Sequence, residues 1–236
     1  MPRETHLKTP LTEIELRRVD EFLAALRTPC ETYRARDSFF NSEDFEESFR
    51  SKLLVHHCFV GSPLFQQSFE GAFISACTEA GLSVIPAPEG QRFWDVTLAG
   101  RAVSLKSTKA KGLKPDLLHI SKLTEAAWIQ DCRTAAKRQE YTKALFAKYT
   151  AEVDSIIQLR YFANRHFYEL VEIPVALFDQ IQNVGRAHYS AEGPSINIPV
   201  GADPPDFTLK LDRSDAKVTI ANIDKSKCKV HGTWQL

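Results

Sequence analysis

Residues 93–107 read FWDVTLAGRAVSLKS. Residues 93–98 and 102–106 each read as a short strand, and Ala99 and Gly100 lie between them, with a glycine that suits a tight hairpin turn. Residues 82–86 form a third such run just upstream, so the segment reads as a three-strand meander.

Working outward from the meander, residues 64–80 carry Phe65, Phe69, Phe73 and Cys77 at every fourth position, the mark of a helix with one aromatic face in the core. Gly81 ends it. Residues 11–26 place Ile14, Val19, Phe22, Leu23 and Leu26 at helical spacing, and residues 41–49 read as an acidic loop running into a short helix. Downstream, residues 107–118 form a basic loop, and a long helix opens at Ile120 or Ser121 and runs to about Tyr149. Residues 155–162 and 167–174 read as strands around a turn at 163–166, followed by a short helix over 175–182. Residues 185–205, with clustered Gly, Pro and Ser, read as loop, and residues 207–234 as two or three strands. The expected class is α+β with an α/β core, a mixed central sheet flanked by helices. The 236 residues, 43% hydrophobic, fit one domain over 1–236 with an N-terminal helical segment at about 1–50.

Lys+Arg and Asp+Glu both number 30, which excludes a uniformly basic coat; a nucleic-acid surface must come from local clustering. Cys30, Cys58, Cys77, Cys132 and Cys228 are widely spaced with no CxxC pair, so free thiols in a reducing cytosol are expected rather than a zinc knuckle or a disulfide framework. The start, MPRETHLKTP, has no apolar leader region, and no run is long and apolar enough to span a membrane. No Walker loop, GxGxxG or GxSxG is present, so no nucleotide cofactor is expected.

Three residues stand out chemically. Glu70 lies beside the aromatic stripe of its helix, Asp95 lies in FWDVTL and Lys106 in AVSLKS. Pairing across the hairpin brings Asp95 and Lys106 to one end of the sheet. Such a set fits phosphodiester hydrolysis: carboxylates hold Mg²⁺, the Leu105 carbonyl adds an oxygen ligand, and the lysine orients water and neutralises developing charge. Ser104, two residues before the lysine, is a poor metal ligand. By spacing alone an edge-facing Asp95 and a solvated Lys106 remain an open alternative. The literal PD pair Pro115–Asp116 is rejected, because Ala127 stands where its lysine would be. Between Arg101 and Lys122 six basic residues face one acid, Asp116. A basic loop directly after Lys106 is where a DNA backbone would pass, although a solvated loop has the same composition. His56 and His57 lack further ligands at useful spacing and read as packing.

The ordered set LLVHHCF, SFEGAF, WDVTL, VSLKS with its following lysines, LHISKL, LRYF, LVEIP and CKVHGTW, from about Phe45 to Trp234, resembles the SmaI-like type II restriction endonucleases of the PD-(D/E)xK superfamily. The N-terminal helix and residues 185–205 resemble that family much less. The resemblance implies a restriction-endonuclease-like fold and a homodimeric, Mg²⁺-dependent enzyme of the prokaryotic cytoplasm. It would cut both strands of double-stranded DNA at a GC-rich palindrome, leaving 5′-phosphates. It also implies that the family does without the usual second acid, which makes Ser104 tolerable. Through the matching motifs it assigns catalysis to Asp95, Lys106 and Glu70, the metal to Asp95, Glu70 and the Leu105 carbonyl, and DNA contact to Lys109, Lys111, Lys114, His119, Ser121 and Lys122. Thr108 departs from the pattern, standing where the family has an acid. Two rivals remain: a catalytically inactive DNA-binding protein on the same fold, and a repair or toxin nuclease.

Overall fold

A computed structural model describes residues 10–236; the reading of residues 1–9 as lacking a leader lies outside the described residues. The chain runs α1 (Glu13–Leu26), β1 (Glu31–Arg34), α2 (Glu43–Val60), α3 (Gln66–Glu79), β2 (Val84–Pro86), β3 (Val96–Leu98) and β4 (Arg101–Thr108). It continues with β5 (Leu117–Glu125), α4 (Trp128–Asp131), α5 (Ala135–Glu152), β6 (Ser155–Phe162) and β7 (Phe167–Pro174). After two 3-10 helices, Val175–Asn183 and Arg186–Tyr189, it ends with β8 (Ser195–Val200), β9 (Phe207–Asp212), β10 (Lys217–Asp224), a short 3-10 turn and β11 (Lys229–Gln235).

The result is mixed α+β. A seven-stranded sheet has the order β1-β11-β7-β6-β4-β3-β2, and a four-stranded sheet the order β5-β10-β9-β8. Within the larger sheet β4 and β6 pair parallel, and their neighbours pair antiparallel. A parallel pair needs a long crossover, and here it passes through β5, α4 and α5. All eight residues of β6 are buried, as a central strand covered on both faces requires. Its side chains alternate between two cores: Ile157, Leu159 and Tyr161 join the aromatic cluster of α2 and α3 (Phe45, Phe49, Phe69, Phe73), whereas Ile156 joins the aliphatic cluster under α5 and the smaller sheet.

The hairpin is as expected. Ala99 and Gly100 both adopt positive φ, 47° and 83°, and β3 pairs with β4 across them. The strands at 155–162 and 167–174 and the three terminal strands also form as read.

Four readings need correction. The first concerns residues 117–125, which are a strand, β5, and not the start of a helix; the helix begins at Ala135, where the Thr134 hydroxyl accepts from Lys137 N. In β5, Leu118 and Ile120 point inward, then a register shift against β10 brings Leu123 inward, so the alternation that would mark a strand breaks. The second concerns residues 195–200, read as loop, which form β8 with Ile196, Ile198 and Val200 buried on one side. Third, residues 41–49 are mostly helix: Ser42 caps α2, which runs 18 residues to Gly61 in the left-handed conformation, φ 64°. Fourth, the N-terminal segment includes β1, paired with β11, and the apolar side of α1 is largely uncovered: Ile14, Leu16, Val19, Phe22 and Leu23 are exposed, although Phe22 stacks on Phe59. Among the described residues no helix is long and apolar enough to cross a membrane.

Candidate active site

Asp95 sits one residue ahead of β3 rather than inside it, yet its backbone N–H still donates to Val103 O at 2.9 Å. The register pairs Val96 with Val103, which sets Asp95 beside Ser104. β3 goes no further back along β4. Beyond Ser104, therefore, the peptide groups of β4 that face this edge have no strand to bond, and buried peptide groups do not stay unpaired. Side chains take the vacant rungs. Asp95 Oδ2 accepts from Leu105 N at 2.6 Å and from the Ser104 hydroxyl at 3.2 Å.

Lys106 follows on the same face. Its Nζ lies 3.5 Å from Asp95 Oδ2 and donates to the Leu105 carbonyl at 3.1 Å. Glu70 comes from the first turns of α3, half-buried, and its Oε1 accepts from Gln66 Nε2 at 2.6 Å; the same amide nitrogen donates to Leu105 O at 2.6 Å. Asp95, Lys106 and Glu70 therefore line one cleft, of about 520 Å³, with Gln66, Gln158 and the β5 segment from Ile120 to Glu125.

Ser104 is fully buried under Asp95. An acid there would be desolvated, whereas a hydroxyl supports Asp95 at little cost. Among the described residues no group of three or more His, Cys, Asp or Glu side chains is arranged to hold a metal. The oxygen set here is two carboxylates and one carbonyl. N–H donors already converge on it: Leu105 N on Asp95, Gln66 on Glu70, and Gln66 with Lys106 on the Leu105 carbonyl. Each of these oxygens already draws a positive dipole end, and a set of hard oxygens of this kind suits a divalent cation of the Mg²⁺ type.

The expected DNA contacts fall in two groups. Ser121 and Lys122 line the cleft, with Lys122 Nζ 2.6 Å from Glu125 Oε1. Lys109, Lys111 and Lys114 are exposed on the loop between β4 and β5, outside the cleft lining, and Lys109 Nζ lies 5.6 Å from the Phe65 ring centroid. His119 is within β5, not at a helix start; its side chain is exposed and its carbonyl accepts from Gln158 Nε2 at 2.8 Å. The loop itself is pinned from below. The buried Arg160 guanidinium donates to the carbonyls of Lys114 at 2.5 Å, Leu117 at 3.0 Å and Pro115 at 3.3 Å, and pairs with Glu169 at 2.5 Å. The rejected Pro115–Asp116 pair is therefore part of an anchored loop. His57 Nε2 is bonded to the Tyr168 hydroxyl at 2.5 Å, a packing role.

Gln66, Gln158 and Arg160 were not legible as site residues. Each acts by bonding backbone groups from a distant element, and no local spacing marks such a role.

A family model described as SmaI, type II site-specific deoxyribonuclease, matches residues 9–236. Among curated proteins, the type II restriction enzyme SmaI of Serratia marcescens is 26% identical over 249 aligned positions, covering 99% of this chain and 97% of that protein. No solved structure matches.

Proposed function

The chain belongs to the SmaI family of type II site-specific deoxyribonucleases, and from that premise we propose that it hydrolyses both strands of double-stranded DNA at a short, GC-rich palindrome with Mg²⁺, leaving 5′-phosphates. The observation that carries this reading is the meeting in one cleft of Asp95, just ahead of β3, Lys106 of β4 and Glu70 of α3. We read the fold as restriction-endonuclease-like and the chain as one domain; the support is that both cores rest on opposite faces of one sheet.

Asp95, Glu70 and the Leu105 carbonyl would hold the cation. When bound, it supplies Lewis-acid polarisation of the phosphate and activation of water. The remaining work falls to the chain. The Leu105 N–H fixes Asp95 Oδ2, and among the described residues Oδ1 has no hydrogen-bond donor. Lys106, its ammonium held beside Asp95 and the Leu105 carbonyl, orients the attacking water and offsets charge that develops on the phosphate. Lys109 and Lys114 hold the DNA backbone at the cleft mouth, while Lys111 on the loop and Ser121, Lys122 and His119 on β5 face the bases. A two-strand cut at a palindrome needs two such sites related by a two-fold axis, so the working unit is a homodimer.

One digest tests the reading. With Mg²⁺, a sequenced plasmid should give discrete fragments whose ends map to one palindromic site. Smearing would assign a different class of nuclease, and binding without cleavage would assign a DNA-binding protein with a dead site. Sedimentation at micromolar concentration should give a dimer; a monomer on a single cognate duplex would overturn the two-fold arrangement.

A further inference from the structure

The carboxamide of Gln66 makes three bonds. Nε2 donates to Leu105 O and to Glu70 Oε1, both at 2.6 Å, and Oε1 accepts from Ser107 N at 3.0 Å. Its orientation is set by chemistry: reversed, it would place an oxygen against two oxygens and an NH₂ against an N–H. The bonds to Leu105 O and Ser107 N are those that a parallel neighbouring strand would make across Lys106. β3 has stopped at Asp95, so Gln66 acts as the missing strand and closes the open edge of β4. In the same act its one amide nitrogen holds the Leu105 carbonyl and the Glu70 carboxylate together.

We propose that Gln66 is a positioning residue for the divalent-cation site: it pre-assembles the Leu105 carbonyl and Glu70, and it fixes the stretch of strand from which Lys106 projects. The proposal rests on the metal reading above. Glu70 is on a flexible three-carbon side chain that needs a partner to hold it, and the Leu105 carbonyl, although β4 is paired with β6 on its other edge, faces an edge that no strand covers, where Lys106 is its other partner among the described residues. Outer partners of this kind typically change metal affinity by about 10–100-fold.

The test uses the full chain and Mn²⁺ alone as probe. Mn²⁺ binding to DNA-free protein is read by paramagnetic resonance, beside the Mg²⁺ concentration that gives half-maximal cleavage. Gln66→Ala should weaken Mn²⁺ binding by about tenfold and raise the Mg²⁺ half-saturation by a similar factor, with most of the cleavage rate recovered at saturating Mg²⁺. Gln66→Met, which keeps the side-chain length, should do the same and serves if the alanine variant does not fold. A lower unfolding temperature with unchanged Mn²⁺ affinity would show that Gln66 only anchors α3 to the sheet, and would overturn the proposal. Tighter Mn²⁺ binding would overturn it too, by showing that the amide occupies the cation's place. An Asp95→Ala control separates this failure from that of the site itself: if it binds Mn²⁺ as the unaltered protein does, the metal reading above is wrong, and if it alone loses Mn²⁺, only the role of Gln66 is wrong.

Discussion

Two ion pairs lie on one face of the large sheet, a single strand apart, and they are built in opposite ways. Arg160 of β6 and Glu169 of β7 meet at 2.5 Å, with side chains 0% and 5% exposed. Lys225 also bonds Glu169, and the carbonyls of Lys114, Pro115 and Leu117 bond both terminal nitrogens of the guanidinium, so both charges are enclosed, with the buried Arg160 Nε left without a partner. Lys106 of β4 and Asp95 stand 3.5 Å apart with side chains 20% and 31% exposed, beside an open cleft. A fully enclosed pair cannot take a new partner without a large desolvation penalty. A half-exposed pair held at long range can exchange its partner for a phosphate, a cation or water. The first pair is scaffold for the basic loop, and the second is available for chemistry.

The largest expected effect falls on the scaffold. Arg160→Ala leaves Glu169 buried without its guanidinium partner and frees the carbonyls of Lys114, Pro115 and Leu117. Breaking one side of such a pair costs about 3–5 kcal/mol, a large share of a typical domain's stability. Urea unfolding should show a loss of that size. A loss under about 1 kcal/mol would erase the contrast, since that is what an exposed pair is worth.

Asp95→Ala and Lys106→Ala should show the reverse profile. Cleavage should fall by about 10³-fold or more, while stability falls by less than in the Arg160 variant: by about 1 kcal/mol or less for Lys106→Ala, and by about 1–3 kcal/mol for Asp95→Ala, which leaves the buried Leu105 N–H unpaired. Glu70→Gln should cost about 10–100-fold in cleavage. Single-turnover rates beside urea curves separate the two quantities. Near-normal turnover in either the Asp95 or the Lys106 variant would sink their assignment.

The comparison also bears on what a sequence can disclose. The hairpin was legible because one dipeptide, Ala99 and Gly100, supplies both positive φ values between apolar strands. β6 and β7 were legible because apolar and polar residues alternate through SIIQLRYF and FYELVEIP on either side of the turn at 163–166. β5 was not, because its register shift sets Leu118, Ile120 and Leu123 at a spacing that no single period describes. β8 was hidden by Gly193, Pro194 and Pro199, which punctuate like loop although the strand sits in the smaller sheet. Asp95 and Lys106 could be paired through the hairpin, a local event. Gln66 and Arg160 could not, because their bonding follows from where β3 stops and where the loop folds back, events set by the tertiary structure alone.

The loop that Arg160 pins gives a finer test. Alanine at Lys109 or Lys114 should weaken binding to all duplexes alike and reduce the salt dependence, as loss of a phosphate contact does. Alanine at Lys111 or Lys122 should instead cost about 1–3 kcal/mol of discrimination between target and scrambled DNA. Binding is measured with Ca²⁺ in place of Mg²⁺ at several salt concentrations. If all four variants bind both duplexes like the unaltered protein, the anchored loop is only a solvated surface.

The smallest expected effect is at Ser104, and it sharpens the comparison most. The two pairs differ in how their acid is held: Glu169 by two cations, Asp95 chiefly by a backbone N–H. Ser104 contributes a second, longer bond to Asp95 Oδ2, 3.2 Å against 2.6 Å from Leu105 N. The hydroxyl is fully buried and faces Asp95 from beneath, so it supports the carboxylate and is not itself turned to the cleft. Ser104→Ala removes that one bond and leaves the acid accepting from the backbone. A side-chain hydrogen bond contributes about 0.5–1.5 kcal/mol, so single-turnover cleavage should fall by no more than about tenfold. The Mg²⁺ requirement should be almost unchanged, because the proposed oxygen donors are Asp95, Glu70 and the Leu105 carbonyl. A loss equal to that of Asp95→Ala would show that the position two residues before the lysine serves the metal after all, and that the backbone bond does not hold Asp95 by itself.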